Sequence, residues 1–164
     1  IGAQLVDRDR QVVTFSGDGG LAMLLGELLT VKLHDLPIKM VVFNNSSLGM
    51  VKLEMLVAGM PEFGTDHEKV DYAAIAAAMG IRSIRIEDPK KVRRSLAEAF
   101  AHPGPVLVDV VTDPNALSIP PDITWDMLTG FTKAATRTVF GGGVGRMVDL
   151  ARGNLRNIGA AGKA

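Results

Sequence analysis

The sequence predicts an α/β domain, an open doubly wound and mostly parallel sheet with helices on both faces, followed by a helical C-terminal tail. Three observations predict it. Four β-rich runs, Gln11 to Ser16, Lys39 to Phe43, Ile81 to Ile86 and Val106 to Thr112, punctuate the chain. Helical patterns separate them, and that alternation implies right-handed βαβ crossovers. Lys39 to Phe43 and Val106 to Val111 are almost continuously apolar, the composition of strands covered on both faces, which favours parallel pairing. In such a sheet, ligands gather beyond the carboxyl ends of the strands.

The elements follow in order. Leu21 to Leu33 carries an apolar stripe and reads as one helix, with Glu27 inside it as a structurally paired charge. A second helix begins near Leu48, and Tyr72 to Met79 is an alanine-rich third. Asp88-Pro89 starts Lys90 to Ala101, because Asp accepts from the free N–H groups of a first turn and Pro has no N–H to lose there. Beyond Thr112, Pro114, Pro120 and Pro121 interrupt regular structure; a helical rhythm resumes over Trp125 to Val139 and stops at Gly141-Gly142-Gly143. Val144, Met147, Val148, Ala151 and Leu155 then recur at helical spacing, with Arg146, Arg152 and Arg156 on the remaining surface. The expected organisation is an α/β domain over residues 1–113 and a Pro-rich connection with an amphipathic tail over 114–164.

Composition excludes several classes of function. The 164 residues suit a single core, and 47% apolar with 22% charged residues is ordinary globular usage. Eighteen Lys and Arg balance eighteen Asp and Glu, so no whole-molecule field attracts nucleic acid. With no cysteine and only His34, His67 and His102, far apart, disulfides and thiolate sites are excluded, and any metal is expected to be oxygen-liganded. No apolar stretch approaches the ~20 residues that span a bilayer, and a cytoplasmic location is the default expectation.

The chemistry concentrates at two strand ends. Gly17-Asp18-Gly19-Gly20 follows the first strand and Asn44-Asn45 the second, with a helical pattern between. Glycines let backbone N–H groups approach an anion, and a helix start turns its positive end toward the same place. Asp18 offers a carboxylate and Asn45 an amide oxygen, hard ligands of the kind Mg2+ accepts while it keeps water and ligand phosphate in its shell. One cradle could hold metal and diphosphate together. As a bland reading, the same residue types dominate ordinary tight turns.

Gly17-Asp18-Gly19, residues 20–43, then Asn44-Asn45 resembles the GDG…NN signature of thiamine diphosphate enzymes. Chance coincidence of both parts at allowed spacing is on the order of one in a few thousand chains. Asn44 to Met50, Gly104 to Val110 and Leu117 to Pro121 are further similar to the pyruvate oxidase and pyruvate:quinone oxidoreductase branch. The resemblance implies that Asp18, Asn45 and the Ser47 carbonyl bind Mg2+. It also implies that Gly17, Gly19, Gly20, Leu48 and Gly49 contact the cofactor, and that Met50 and Glu54 face the substrate. Met50 departs from an aromatic residue in related oxidases, and Glu54 reads equally well as a solvated helix charge.

By the same resemblance, the activating glutamate lies in a pyrimidine-binding domain of the same or a sister subunit, and FAD binds outside this chain. The chain begins just inside the family's own domain, so its N-terminal edge is expected to be clipped and the isolated chain inactive. The implied enzyme is a homo-oligomer, dimer or tetramer, that decarboxylates pyruvate to acetate and CO2 and passes electrons through FAD to a quinone. Its amphipathic tail would lie on the inner face of the cell membrane, a reading weighed evenly against packing on its own domain. Alternatives are an acetolactate synthase-like or nonoxidative 2-oxo-acid decarboxylase and, from another class, a noncatalytic cofactor-binding or interaction module.

Overall fold

The computed structural model describes residues 1–116 and 124–161, with side chains as far as 155. The oxidase-like run Leu117 to Pro121 lies outside the described residues. The chain forms two compact units, one of Ile1–Ser46 with Glu68–Thr112 and one of Ser47–His67 with Asp113–Ala164.

The first unit is built on four parallel strands, β1 (Val13–Gly17), β2 (Lys39–Asn44), β3 (Arg82–Ile86) and β4 (Val106–Val111), in the order β1-β2-β4-β3. The two strands predicted to be covered on both faces, β2 and β4, take the two central places. Register alternation sends their side chains to opposite faces. Val41, Val106, Val108 and Ile86 pack with Ala99 on one side; Met40, Val42 and Leu107 pack with Leu28, Val31, Tyr72 and Ala76 on the other. Each such Val, Leu, Ile or Met side chain contributes roughly 1.5–3 kcal/mol relative to exposure.

Five helices belong to this unit: α1 (Gly2–Val6), α2 (Asp18–Met23), α3 (Glu27–Leu33), α5 (Tyr72–Ala78) and α6 (Val92–Ala101). A 3-10 turn, Pro89–Lys91, leads into α6, and the Asp88 carboxylate accepts from the Lys90 N–H at 3.0 Å, the predicted start. Asp71 caps α5 in the same way, accepting from the Ala74 N–H at 2.8 Å. The N-terminal turn is fixed by Gln4, whose fully buried amide donates to the carbonyls of Asp7, Arg8 and Arg10. Lys39 opens β2 with its buried Nζ donating to the His102 and Gly104 carbonyls, both at 2.6 Å; burial lowers its pKa.

Leu21 to Leu33 is not one helix. The first turn starts at Asp18, and the chain breaks over Leu24 to Gly26 before α3 begins. Gly26 is the weakest helix former in the run, and the break lets Leu28 and Val31 reach the core while Leu24 and Leu29 stay exposed. The structural pairing expected for Glu27 is also corrected: it is exposed, and it makes no ion pair with another described residue. It sits in the first turn of α3, where a carboxylate complements the helix dipole.

The second unit contains α4 (Gly49–Val57), α7 (Trp125–Phe140) and α8 (Val144–Ala161) around Leu56, Ala134 and Leu150. Residues 47–67, which sequence reasoning grouped with the sheet, cluster with the C-terminal helices. Gly130 of α7 makes this possible, because a Cβ there would stand 1.7 Å from the Val57 carbonyl oxygen. Met147 and Leu150 of α8 face this core, so part of the amphipathic stripe packs within its own unit; Val144, Val148 and Leu155 remain exposed. Among the described residues, no helix is long and apolar enough to cross a membrane.

Candidate functional site

β1 and β2 are adjacent and parallel, and Gly17 pairs with Phe43 in the register. Their carboxyl ends therefore deliver Asp18 and the Asn44-Asn45-Ser46 segment side by side. Asp18 is only 2% exposed. One carboxylate oxygen, Oδ1, accepts from the N–H of Gly19 at 2.9 Å, and the other, Oδ2, accepts from the N–H of Ser46 at 2.6 Å. Ser46 has φ of +54°, a left-handed conformation that costs a non-glycine residue energy and persists only where its surroundings hold it. The Asp18 bond is one such constraint.

The other end of the segment is held from within the sheet. Asn44 is buried, and its amide nitrogen donates to the Val70 carbonyl at 2.8 Å and to Oδ1 of Asp109 at 3.0 Å. Its carbonyl accepts from the Thr112 N–H at 2.9 Å. Its side-chain oxygen is buried with no partner among the described residues. Half-buried Asn45 thus lies between two fixed neighbours.

Asp109, Tyr72 and Arg85 complete the surroundings and were not singled out from sequence. Asp109 is fully buried in β4; Oδ2 accepts from the Tyr72 N–H at 3.1 Å and from Nη1 of Arg85. The signal for it was present, a lone carboxylate inside the apolar run Val106 to Val111. Burial raises the Tyr72 pKa, and the negative charges of Asp18 and Asp109 raise it further.

The donor chemistry fits Mg2+ and a diphosphate. Asp18 and Asn45 supply hard oxygen atoms. Gly17 and Gly20 are exposed, and no heavy atom lies within 4 Å of where a Cβ would stand on either, so open space fronts the backbone at the turn. Among the described residues, no group of three or more His, Cys, Asp or Glu could hold a metal. The remaining candidate residues belong to the second unit. Ser47 is buried there, its Oγ donating to the Thr65 carbonyl at 3.3 Å and its own carbonyl accepting from the Gly49 N–H at 2.8 Å. Leu48 donates its N–H to the Thr65 carbonyl; Met50 and Glu54 are exposed on α4.

Residues 1–110 match the C-terminal TPP binding domain of thiamine pyrophosphate enzymes. The chain belongs to this family. It is 34% identical over 140 residues to YdaP of Bacillus subtilis (strain 168), provisionally named as a thiamine pyrophosphate-containing protein, covering 85% of this chain and 24% of that one. It is also 34% identical over 121 residues to the mitochondrial acetolactate synthase catalytic subunit of Aspergillus candidus, 73% of this chain and 17% of that one. The acetolactate synthase isozyme 1 large subunit of Escherichia coli (strain K12) is 34% identical over 115 residues, 69% of this chain and 20% of that one. The chain thus spans about a quarter or less of the length of these relatives. The expected family and α/β fold stand; the similarity runs to acetolactate synthases rather than specifically to the oxidase branch.

Proposed function

We propose that the chain supplies the diphosphate- and Mg2+-binding part of a thiamine diphosphate enzyme acting on a 2-oxo acid, pyruvate foremost. The observation that carries this reading is the Asp18 carboxylate held 2.6 Å from the Ser46 N–H, immediately beside Asn45. When bound, thiamine diphosphate supplies the electron sink for bond cleavage next to the 2-oxo carbonyl. Asp18 and Asn45 hold the metal that neutralises its diphosphate, and the backbone at Gly19 and Gly20 approaches the phosphate oxygens. Met50 and Glu54 line the substrate side, and the activating glutamate comes from a pyrimidine-binding domain elsewhere in the enzyme.

The acetolactate synthase relatives favour condensation of two 2-oxo acids as the overall reaction. The runs Asn44 to Met50 and Gly104 to Val110 favour a second reading, oxidative decarboxylation of pyruvate to acetate through FAD and a quinone at a membrane surface. Calorimetry of thiamine diphosphate with and without Mg2+ tests the shared part: Asp18→Ala in the full-length protein is expected to weaken Mg2+-dependent binding at least tenfold, and equal affinities overturn the assignment. Product analysis with pyruvate separates the two reactions. Acetolactate supports the first; acetate with reduction of ferricyanide supports the second.

A further inference from the structure

A fully buried carboxylate in the middle of a central strand costs several kcal/mol of desolvation, and pairing it with an arginine generally does no better than a well-packed apolar side chain would. Asp109 therefore calls for an account other than stability. Two of its three donors belong to segments that lead to or flank the candidate site: the Asn44 amide, at the end of β2, and the Tyr72 N–H, at the start of α5. Arg85 of β3 neutralises the charge, and it also reaches Glu87 at 3.0 Å and Asp71 at 3.8 Å.

Asn44 spends both amide hydrogens on Val70 and Asp109. With both hydrogens committed, the arrangement fixes the orientation of the peptide that enters Asn45, while Asp18 fixes the one that leaves it for Ser46. We propose that Asp109 is a positioning residue for the Asn45 side chain, acting through Asn44. It touches neither metal nor cofactor; it sets the geometry in which Asn45 presents its oxygen. This rests on the reading of Asp18 and Asn45 as Mg2+ ligands.

The test uses the full-length protein and follows the Mg2+ concentration needed for half-maximal thiamine diphosphate binding by calorimetry, together with the unfolding midpoint of the metal-free protein. Asn44→Ala, which keeps the Asp109–Arg85 pair, and Asp109→Asn are each expected to raise that Mg2+ requirement roughly 10–100-fold, the range typical of residues that orient metal ligands. The double variant is expected to lose no more than the more affected single one, since both substitutions break the same link. Lys39→Met, a buried charge removed from the opposite end of β2, is the control: it shifts the unfolding midpoint and leaves the Mg2+ requirement unchanged. If Asp109→Asn does not fold, Asn44→Ala decides. Unchanged Mg2+ dependence in Asn44→Ala beside a weakened Asp18→Ala overturns the positioning role alone. Unchanged dependence in Asp18→Ala overturns the metal reading and this inference with it.

Discussion

The carboxylate of Asp18 and the backbone N–H of Ser46 are joined at 2.6 Å, a link that ties the turn after β1 to the turn after β2. The bond satisfies a left-handed residue at +54° and fixes the loop before any ligand arrives. Asp18→Ala removes the acceptor for both the Gly19 and the Ser46 N–H groups. Hydrogen bonds to a charged group contribute about 1.5–3 kcal/mol each, offset here by the desolvation that Asp18 no longer suffers. The expected net loss is about 1–3 kcal/mol in the metal-free protein, measured by urea unfolding. An unchanged midpoint would show that the loop is held without Asp18.

The glycines of the same turn predict the opposite pattern. Gly20 lies in α2, and an added Cβ there meets nothing within 4 Å. Gly20→Ala should leave stability unchanged or raise it by about 0.5–1 kcal/mol, the helical difference between the two residues. The same methyl group projects into the open space proposed for the diphosphate, so cofactor affinity should fall at least tenfold. Calorimetry and thermal unfolding on one variant separate the two effects. Loss of both together would mean that the methyl disturbs the fold.

These contrasts explain what was legible in the sequence. The meeting of Asp18 with the Asn44 to Ser46 segment was readable because a strand end and a glycine turn leave a local signature, and β2 and β4 because strands covered on both faces are apolar throughout. The break at Leu24 to Gly26 was not readable, since the apolar stripe of Leu21, Leu25, Leu28 and Val31 fits one helix as well as two short ones. The grouping of residues 47–67 with α7 depends on Gly130 meeting Val57, a contact over 73 positions (130 − 57) that no local pattern encodes. Asp109 was visible as an anomaly, but its partners Asn44, Tyr72 and Arg85 come from three other elements.

The contact at Gly130 gives a test of the second unit. At 1.7 Å from the Val57 oxygen and 2.7 Å from its carbon, a Cβ collides with backbone rather than with a movable side chain. Gly130→Ala must push α7 away from α4, and overpacking of this kind costs typically 1–3 kcal/mol and occasionally more. Thermal unfolding should register the loss. Amide exchange over residues 49–57 and 125–140 should rise while β2 and β4 stay protected. Uniform loosening throughout the chain would contradict the division into two units.

Tyr72 offers a pH-dependent readout, because it is the only tyrosine of the chain. Burial first, then the charges of Asp18 and Asp109, raise its pKa above the ordinary tyrosine value of 10.0. The unfolded chain therefore loses the phenolic proton at lower pH than the folded one. Between the two pKa values the folded state binds more protons, so stability falls as pH rises through 10.0, and the contribution of Tyr72 is fully present below it. Lys39 runs the other way: its lowered pKa makes stability rise with pH toward the ordinary lysine value of 10.5. Comparing wild type with Tyr72→Phe cancels the lysine and isolates the tyrosine. The expected result is tyrosinate absorbance that appears above pH 10.0 in the folded protein, and a difference in unfolding free energy between the two proteins that changes only at alkaline pH. The Asp109→Asn variant should bring the phenol part of the way back, since it removes one of the two charges while leaving the desolvation in place. A tyrosine that titrates at its ordinary value would place Tyr72 in water rather than against these carboxylates.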